Sequence, residues 1–518
     1  MYLTQGLHRA VQQQPDAVAT VCGERTRTFA ETADRVARLA GALRGLGVAP
    51  GDRVAMLSLN SDRFHEYLLA VPWADAVLTP INVRWSPAEI VYSLEDSGTR
   101  VLIVDDTFAP MLGSLRSHVD VVIHAGDGPA PDGAPSGLSV LSFEDLVAES
   151  DPVADVRRGG DALAGLFYTG GTTGNPKGVM LSHANLMTSA FGFNATGYLF
   201  GAGCRYLHAA PMFHLADLAA WSAATAAGGA HVIVPAFEPT AILAAIARHQ
   251  VTDTLLVPTM IQLLIDHPTV GEHDLTSLRS VVYGASPIAQ STLERAMKTL
   301  PNASFTQAYG MTELSPLAAL LSPDDHRRTD LLRAAGRAAQ NSEIRIVDPE
   351  DQEVPHGTVG EIICRGGNVM QGYWGLPEET ATALRGGWMH TGDGGYMDDQ
   401  GHVFVVDRLK DMILTGGENV YSAEVENALA THPGVASCAV IGVPDDEWGE
   451  RVHAVVAAAP GYTPGAEELR EHVKALIAGY KAPRSVELVD ALPVSGAGKI
   501  LKRELRRRYW DDAERQVR

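Results

Sequence analysis

The feature that most constrains the fold is the alternation of short apolar runs with segments of helical periodicity. In the segment 29–46, small apolar residues recur at helical spacing and two glycines follow as stop signals. Parallel strands that are buried on both faces are continuous apolar runs, usually joined by helices. The alternation therefore predicts an α/β fold with largely parallel sheets. The apolar runs lie at residues 54–57, 101–105, 119–125, 231–235, 254–258 and 280–283.

The pattern changes after about residue 343, where strand-like segments are broken by glycine turns. Such segments predict a small β-barrel or meander. The C-terminal part mixes strand and helix patterns, which predicts a separate α+β domain. We therefore expect a large N-terminal domain of stacked α/β sheets with a β-barrel subdomain at residues 1–408, and a smaller α+β domain at residues 409–518. The Pro- and Gly-rich stretch 126–137 predicts a surface loop.

The charge balance argues against a general role on polyanions. The 518-residue chain carries 41 Lys and Arg against 62 Asp and Glu, a formal net charge of −21, which disfavours binding to nucleic acid or anionic lipid. The four cysteines form no CxxC pair, so neither a disulfide framework nor a zinc cluster is indicated. The N-terminal residues are polar, and no apolar run of about 18 residues occurs. We expect a cytoplasmic protein without a membrane span.

Residues 168–178 have the sequence YTGGTTGNPKG and follow a short apolar run. Glycines let the backbone approach a polyphosphate, threonines add hydroxyl donors, and Lys177 adds a positive charge. The segment is not a Walker A motif, because Lys177 follows Pro176 and precedes Gly178. Its composition favours a phosphate-binding loop, and a flexible surface loop is the alternative.

The segment 308–314 (AYGMTEL) offers the Thr312 hydroxyl and the Glu313 carboxylate. A carboxylate is a hard oxygen ligand suited to Mg²⁺. The alternative is a helix start capped by Thr312.

Two later segments carry single polar groups that suit nucleotide chemistry. In residues 388–393 (WMHTGD), Asp393 can accept hydrogen bonds from a ribose diol, and a turn aspartate is the alternative. Residues 493–499 (PVSGAGK) carry Lys499, a glycine-flanked exposed lysine near the end of the chain, and a solvated surface charge is the alternative.

In this order and approximate spacing, the segments resemble the adenylate-forming superfamily of acyl-CoA synthetases, adenylation domains of peptide synthetases and beetle luciferases. The resemblance covers nearly the whole chain, from the helix near Glu31 to Lys502. Residues 415–426 (TGGENVYSAEVE) and 211–217 (PMFHLAD) are most similar to segments of acyl- or aryl-CoA ligases. The resemblance implies an acid–thiol ligase that uses ATP and Mg²⁺ to make an acyl-adenylate and transfers the acyl group to coenzyme A, releasing AMP and pyrophosphate.

The resemblance also implies a role for individual residues. Tyr309 would stack on the adenine, Thr312 would contact the α-phosphate, and Asp393 with Arg408 would hold the ribose. The ATP-binding residues would be Thr169, Gly170, Gly171, Thr172, Thr173, Gly174, Lys177, Gly284, Ala285, Ser286, Tyr309, Gly310, Met311, Thr312, Asp393, Arg408 and Lys499. The metal ligands would be Thr169 and Glu313, and the catalytic residues Lys499, Thr312, Glu313 and His214. The CoA-binding residues would be Gly416, Gly417 and Glu418, and the acyl-pocket residues His214, Asp217, Thr259, Met260, Ala285 and Ser315.

Members of this superfamily run two half-reactions in one cleft by rotating the C-terminal domain, and Lys410 lies at the position of their hinge. Lys499 would bridge the substrate carboxylate and the α-phosphate in the first half-reaction. Rotation would then withdraw Lys499 and bring the loop at Gly416 toward the thiol. His214 would gate the acyl pocket and the thiol tunnel, with a packed core histidine as the alternative.

The chain departs from the family pattern at two positions, and it differs from the amino-acid-activating members at a third. Gly170 stands where most relatives have Ser, which removes one hydroxyl donor from the phosphate loop. Asp217 stands where many CoA ligases have a small residue, so it either favours an acid that bears a donor group or faces away from the pocket. His214 occupies the place of the aspartate that amino-acid-activating domains use for the α-amino group, which argues against an α-amino acid substrate.

Three alternatives accompany this interpretation. An enzyme of the same chemistry could pass the acyl group to a carrier protein, an amine or another acceptor. A non-enzymatic ATP-binding relative is disfavoured because the polar residues implied in the site are retained together. Serine and zinc hydrolases are disfavoured because the sequence contains neither GxSxG nor HExxH. We expect small-molecule partners only, in a monomer or homodimer, and the identity and length of the acid cannot be derived from the pocket residues.

Overall fold

The computed structural model describes residues 1–115, 119–129, 139–169, 175–286, 288–416, 418–445, 447–494 and 500–510. The chain divides into two compact units, each with its own hydrophobic core. The first unit contains Met1–Ile344 and Cys364–Met389, and the second contains Arg345–Ile363 and His390–Arg518. A hinge at Lys410 between domains 1–408 and 409–518 stays a prediction.

Helix starts follow capping signals in the sequence. Thr28 accepts a hydrogen bond from the Glu31 backbone N–H and donates its own N–H to the Glu31 carboxylate, which starts the helix predicted at residues 29–46. The α-helices are α1 (Gln5–Gln13), α2 (Phe29–Gly45), α3 (Asp62–Trp73), α4 (Pro87–Ser97), α5 (Leu112–Leu115), α6 (Phe143–Glu149), α7 (His183–Asn194), α8 (Leu215–Ala227), α9 (Pro239–His249), α10 (Pro258–Ile265), α11 (Gln290–Thr299), α12 (Pro377–Ala383), α13 (Ser422–Ala430), α14 (Ala466–Leu476) and α15 (Lys502–Arg506). In the described ranges, no helix has both the length and the apolar character that crossing a bilayer requires.

The strands include every apolar run that the sequence marked. They are β1 (Val18–Cys22), β2 (Arg25–Thr28), β3 (Arg53–Leu57), β4 (Val77–Pro80), β5 (Val101–Val104), β6 (Val121–His124), β7 (Ser139–Ser142), β8 (Leu163–Thr169), β9 (Lys177–Ser182), β10 (Arg205–His208), β11 (Ala230–Ile233), β12 (Asp253–Leu256), β13 (Ser280–Gly284), β14 (Ser304–Tyr309), β15 (Ala319–Leu321), β16 (Arg337–Ala338), β17 (Ser342–Val347), β18 (Gly360–Gly366), β19 (Gly372–Tyr373), β20 (Met389–Met397), β21 (Val403–Arg408), β22 (Ile413–Thr415), β23 (Glu418–Val420), β24 (Val435–Asp445), β25 (Gly449–Ala458) and β26 (Ser485–Val489). Short 3-10 turns lie at Ala109–Met111, Val270–Glu272, Thr312–Leu314, Asp325–Arg327, Arg385–Gly387, Leu409–Asp411 and Gly479–Lys481.

Two sheets form the scaffold of the first unit in the part of the chain that the structure describes. One has the strand order β16-β15-β14-β13-β12-β10-β11-β1-β2, and the other has the order β19-β9-β8-β4-β3-β5-β6-β7. Strands β11, β10, β12, β13 and β14 run parallel to one another. Strands β4, β3, β5, β6 and β7 do the same in the second sheet. The predicted α/β fold with largely parallel sheets is confirmed.

The core on one face of the first sheet is made by β10, β12 and β13 with the helices α9, α10 and α11. Its central side chains, at most 1% exposed, include Leu207, Ile246, Leu256, Leu264 and Val281. Burying side chains of this size stabilises the fold by about 1.5–3 kcal/mol each. This packing holds the carboxyl ends of four adjacent parallel strands, β10, β12, β13 and β14, at one edge of the sheet.

The second unit has two sheets within the described residues. The first has the order β17-β18-β20-β21, and it follows the change of pattern predicted at about residue 343. The second has the order β23-β22-β25-β24, with β26 parallel to β25. Helices α13 and α14 pack against it through Val425, Leu429, Leu469 and Val473. Mixed strands and helices at the C-terminus agree with the predicted α+β fold.

Candidate active site

The two ends of the predicted phosphate loop are held by a pair of antiparallel strands. Thr169 is the last residue of β8, Lys177 is the first residue of β9, and the two are paired in the β-ladder. Residues Gly170, Gly171, Thr172, Thr173 and Gly174 lie outside the described residues. The hairpin fixes where the loop begins and ends, and it places the Lys177 side chain at the loop's exit.

The predicted adenine-binding segments follow two neighbouring parallel strands. Gly284 ends β13 and pairs with Ala308, which precedes Tyr309 at the end of β14. A Cβ on Gly284 would overlap the Ala308 carbonyl oxygen, so only glycine fits this position. Ala285 adopts a φ of +66°, a left-handed conformation that non-glycine residues adopt at a cost of order 1–3 kcal/mol. Open α/β sheets bind their ligands at such carboxyl strand ends.

The turn after β14 carries the predicted catalytic pair. A Cβ on Gly310 would overlap the Pro316 carbonyl oxygen, so the chain can turn sharply there only at a glycine. Thr312 and Glu313 lie in the following 3-10 turn, and Glu313 is only 6% exposed. The helix start expected as the alternative is thus a single 3-10 turn, and the residue at its N-cap position is Met311, not Thr312.

Ser315, predicted to line the acyl pocket, is fully buried and has a φ of +62°. Its hydroxyl donates to the Asn368 carbonyl oxygen at 2.7 Å. Asn368 in turn donates to the carbonyl oxygens of Leu314 and Leu317, so it fixes the whole turn. Ser315 therefore supports the catalytic turn from inside, and its contact with an acyl group stays a prediction.

Sequence reasoning missed Tyr373, which connects the two polar segments of the site. The Tyr373 hydroxyl donates to Oε1 of Glu313 at 2.9 Å, and the Lys177 ammonium lies 5.1 Å from the centroid of the Tyr373 ring. The available signal was an aromatic pair between two glycines, GYWG at residues 372–375. The side chain thus contacts both the implied metal ligand and the implied phosphate-binding lysine.

The residues present fit a magnesium ion. Mg²⁺ is held in proteins by one or two carboxylates together with substrate phosphates and water. Glu313 supplies one buried carboxylate on the turn that follows β14. The described residues contain no cluster of three or more His, Cys, Asp or Glu side chains that could hold a metal by themselves. The donor set is therefore suited to a metal that arrives with a nucleotide.

A cleft in the first unit brings the predicted His214 and Thr312 together. Its lining residues come from the ends of β4, β8 and β10 and from the turn after β14, and they are Pro80, Asn82, Phe167, Tyr168, Phe213, His214, Leu215 and Thr312. The His214 ring lies 4.2 Å from the Phe213 ring, immediately before helix α8. Tyr168 donates to the Asp96 carboxylate at 2.6 Å, and burial with this bond raises the pKa of Tyr168 well above its ordinary value. The lining residues give the cleft an aromatic wall, the His214 imidazole and the hydroxyl-bearing side chains of Tyr168 and Thr312.

The predicted pocket residues Asp217, Thr259 and Met260 have different surroundings. Thr259 is exposed, whereas Met260 is 9% exposed and belongs to the core around β10, β12 and β13. Asp217 is fully buried. Its two carboxylate oxygens accept hydrogen bonds from the Tyr206 hydroxyl at 2.7 Å and from Nδ1 of His208 at 2.6 Å.

A buried polar network extends from Asp217. Nε2 of His208 lies 3.0 Å from Nδ1 of His231, whose Nε2 is 3.1 Å from the Thr225 hydroxyl. His65 packs 4.6 Å from the His231 ring and accepts a hydrogen bond from Trp221. Burial lowers the pKa of His65 to about 3, with neighbouring His208 adding to the effect, and burial also lowers the pKa of His231 well below its ordinary value. The network therefore contains neutral histidines at neutral pH.

In the second unit, the two residues predicted to hold the ribose are paired with each other. Asp393 and Arg408 are opposite one another on β20 and β21, and Nε of Arg408 lies 2.6 Å from Oδ1 of Asp393. Asp393 is 6% exposed. Lys410, the predicted hinge residue, is exposed in the 3-10 turn Leu409–Asp411.

The predicted CoA loop is the turn between β22 and β23. Gly416 has a φ of +60°, and a Cβ there would lie 2.6 Å from the Trp448 ring. The Arg484 guanidinium lies 4.1 Å from the centroid of that ring. Glu418 is exposed at the start of β23. Gly417 and the predicted catalytic Lys499 lie outside the described residues.

Strand-end turns around a cleft, beside the hairpin that holds the predicted phosphate loop, are typical of nucleotide-binding enzymes of the α/β class. The family model of AMP-binding enzymes matches residues 7–374, and the model of the AMP-binding enzyme C-terminal domain matches residues 424–499. The chain belongs to the family of AMP-binding enzymes.

Several relatives match the chain over nearly its full length. A feruloyl-CoA synthase of Amycolatopsis is 41% identical over 97% of this chain and 98% of its own. The fatty acid–[acyl-carrier-protein] ligase ScoC of Streptomyces coeruleorubidus is 38% identical over 98% of this chain and 96% of its own. The structure of the amide bond synthetase McbA of Marinactinospora thermotolerans superposes with a TM-score of 0.86 at 33% identity, covering 98% of this chain and 99% of that one.

These comparisons confirm the family, the fold class and the class of enzyme predicted from the motifs, an AMP-forming acid–thiol ligase. The roles assigned to individual residues stay predictions.

Proposed function

We propose that this chain converts an aromatic carboxylic acid of the hydroxycinnamate type, such as ferulate, into its CoA thioester through an acyl-adenylate. The observation that carries the proposal is the full-length similarity to feruloyl-CoA synthase, at 41% identity. The cleft supports it, because Phe167, Tyr168 and Phe213 offer flat apolar surface to an aromatic ring.

In the first half-reaction, a carboxylate oxygen attacks the α-phosphorus of ATP, and the bond to the bridging oxygen of pyrophosphate breaks. The attack brings two anions together, so groups that bind the developing charge accelerate it. Thr169, Thr172, Thr173 and Lys177 are proposed to hold the β- and γ-phosphates, and Thr312 the α-phosphate. Lys499 is proposed to lie between the two reacting anions.

Glu313 and Thr169 are proposed to hold Mg²⁺, which supplies positive charge to the phosphate oxygens when it is bound. Gly284, Ala285, Ser286 and Tyr309 are proposed to contact the adenine, and the Asp393–Arg408 pair the ribose.

In the second half-reaction, the CoA sulfur attacks the carbonyl carbon of the adenylate, AMP leaves, and the thiol proton passes to solvent. Gly416, Gly417 and Glu418 are proposed to guide the thiol. A side chain at Gly416 would overlap the Trp448 ring, so this position requires glycine. His214 is proposed to gate the cleft, since it lies in the lining beside Thr312.

The substrate is tested by measuring pyrophosphate release over a panel of acids with and without CoA. Ferulate and 4-coumarate should give the highest kcat/KM and form thioester with CoA, whereas a medium-chain fatty acid and an α-amino acid should be at least about tenfold poorer. A preference for the fatty acid would contradict the aromatic assignment while leaving the adenylation chemistry in place.

The division of labour is tested with Lys499→Ala. The variant should lose about 10² to 10³ in the rate of acid-dependent pyrophosphate exchange, yet still convert supplied feruloyl-adenylate to feruloyl-CoA. Lys298→Ala, on the exposed end of α11, is the matched control. Equal loss in both half-reactions would contradict the role given to Lys499.

A second candidate acceptor follows from the relatives. ScoC is named as an acyl-carrier-protein ligase and McbA as an amide bond synthetase. Replacing CoA by a phosphopantetheinylated carrier protein or by a primary amine in the same assay separates these acceptors. Faster product formation with either of them than with CoA would favour the alternative.

A further inference from the structure

Tyr373 is anchored directly to the strand that leaves the phosphate loop. It pairs with Val179 across the antiparallel strands β19 and β9. Its backbone N–H donates to the Thr380 hydroxyl at 2.9 Å, and the N–H of the next residue, Trp374, donates to the Gly178 carbonyl oxygen at 2.8 Å. The backbone of Tyr373 therefore has a fixed position relative to Lys177 at the start of β9.

The Tyr373 side chain contacts two groups of opposite charge. Its hydroxyl donates to Oε1 of Glu313 at 2.9 Å, and the Lys177 ammonium lies 5.1 Å from the centroid of its ring. Glu313 is also held through its backbone, because its carbonyl oxygen accepts the Met370 N–H at 2.9 Å. The segment that carries Tyr373 thus reaches the catalytic turn at two points.

These contacts have different physical origins. A hydrogen bond to a carboxylate is charge-assisted, and it fixes the orientation of the acceptor as well as its position. The attraction between an ammonium group and an aromatic face depends on the ring and not on the hydroxyl. The two contributions of Tyr373 can therefore be removed separately.

We propose that Tyr373 is a positioning residue for the magnesium–nucleotide complex. Its hydroxyl orients the Glu313 carboxylate for the metal, and its ring holds the Lys177 ammonium for the phosphates. The inference rests on the proposed function, which assigns Glu313 to Mg²⁺ and Lys177 to ATP. Groups that orient a metal ligand in this way typically change metal affinity 10- to 100-fold when they are removed.

The test measures ATP binding to the full-length protein by titration calorimetry, once with EDTA and once with saturating Mg²⁺. Tyr373→Phe keeps the ring and removes the hydroxyl, so binding in EDTA should stay within about twofold of the wild type. Binding with Mg²⁺ should weaken about 10- to 100-fold, and the Mg²⁺ concentration for half-maximal pyrophosphate exchange should rise by a similar factor.

Tyr373→Leu removes the ring as well. Its affinity for ATP with Mg²⁺ should fall as in Tyr373→Phe. Its affinity for ATP in EDTA should also fall, by about two- to fivefold, the size expected for one exposed cation–π contact. Tyr462→Phe, at a tyrosine that is 52% exposed in the second unit, is the matched control and should match the wild type in both conditions.

Equal weakening of ATP binding by Tyr373→Phe with and without Mg²⁺ would overturn the role of the hydroxyl, and unchanged binding in both variants would overturn the whole proposal. If one variant does not fold, the other still decides, since Phe tests the hydroxyl and Leu tests the ring. A wild-type protein that binds Mg·ATP and exchanges pyrophosphate, with variants that behave identically, would reject the Tyr373 role alone. Absence of ATP binding by the wild type would reject the proposed function with it.

Discussion

Two of the tyrosine–carboxylate pairs in the first unit have similar donor–acceptor distances but different surroundings. Tyr206 donates to Asp217 at 2.7 Å, and Tyr373 donates to Glu313 at 2.9 Å. Asp217 is fully buried, and its second oxygen is bonded to His208. Glu313 is next to Thr312, which lines the cleft. We infer that such a pair stabilises the core where its carboxylate is fully buried, as at Asp217, and can orient a metal ligand where its carboxylate lies beside a cleft residue, as proposed for Glu313.

The comparison predicts that Asp217→Ala damages the fold more than the chemistry. Removing one partner of a buried charged network leaves the other polar groups unsatisfied, so the free energy of unfolding should fall by about 3–5 kcal/mol. Chemical denaturation measures this loss, with Asp324→Ala as the control, because the Asp324 side chain is 84% exposed. Protein that remains folded should keep its KM for the acid.

The opposite result for Asp217 would be equally informative. If Asp217→Ala left stability unchanged and altered which acids are activated, the carboxylate would face the acyl pocket, as one of the two expectations from the sequence had it. The hydrogen bonds to Tyr206 and His208 favour the other expectation.

Glu313→Gln should have the opposite effect, a large loss of activity with little loss of stability. An amide can still accept the Tyr373 hydrogen bond, so stability should change by no more than about 1 kcal/mol. Losing the negative charge proposed to hold Mg²⁺ should lower acid-dependent pyrophosphate exchange by about 10² to 10³. Comparing exchange rates and unfolding curves of the two variants measures both effects, and a large loss of stability in Glu313→Gln would place Glu313 with Asp217 as a core group.

Acid should destabilise the network around Asp217. His65, with a pKa lowered to about 3, and His231 bind fewer protons in the folded protein than in the unfolded chain, where a histidine has a pKa of about 6.5. The free energy of unfolding should therefore fall as the pH drops below about 6.5, by up to about 1.4 kcal/mol per pH unit for each histidine. Two charged groups also shift the pKa of His65, besides the neighbouring histidines. Asp62 raises this pKa and Arg27 lowers it.

His65→Gln isolates this contribution, because glutamine can still accept the Trp221 hydrogen bond. Denaturation at pH 7, 6 and 5 should give a shallower pH dependence than the wild type, whereas His356→Gln, at a histidine whose side chain is 50% exposed, should leave the slope unchanged. A slope unaffected by His65→Gln would show that His65 is not a source of the acid sensitivity.

The strand-end residues of the site could be predicted from the sequence, because the steric restrictions on them come with short local motifs. Gly284 and Gly310 have no room for a Cβ, and each lies in a short motif beside an apolar run. Tyr373 could not be predicted in this way, since its partners Glu313 and Lys177 become neighbours only when β19 joins β9. The roles predicted for residues 170–174 and for Lys499 rest most on the family resemblance, because these residues lie outside the described part of the chain.

The network around Asp217 did leave a signal in the sequence. Asp217, Trp221 and Thr225 recur every fourth residue on helix α8, so they share one face. Tyr206 and His208 are two residues apart on β10 and point to the same side of the sheet. The patterns show that a polar stripe exists, but only the packing of α8 on β10 shows that the stripe is buried and internally bonded.

The smallest effects are expected when the hydroxyl group is removed from each of the two tyrosines, Tyr206 and Tyr373. Tyr206→Phe removes one hydrogen bond from a buried carboxylate that keeps its bond to His208, so the free energy of unfolding should fall by about 1–3 kcal/mol. Its Mg²⁺ dependence of pyrophosphate exchange should match the wild type, because neither Tyr206 nor His208, which hydrogen-bond to Asp217, is implied in metal binding. Tyr373→Phe should lose less stability and shift the Mg²⁺ dependence instead. If both variants shifted the Mg²⁺ dependence, the buried network would communicate with the metal site, and the distinction drawn between the two pairs would fail.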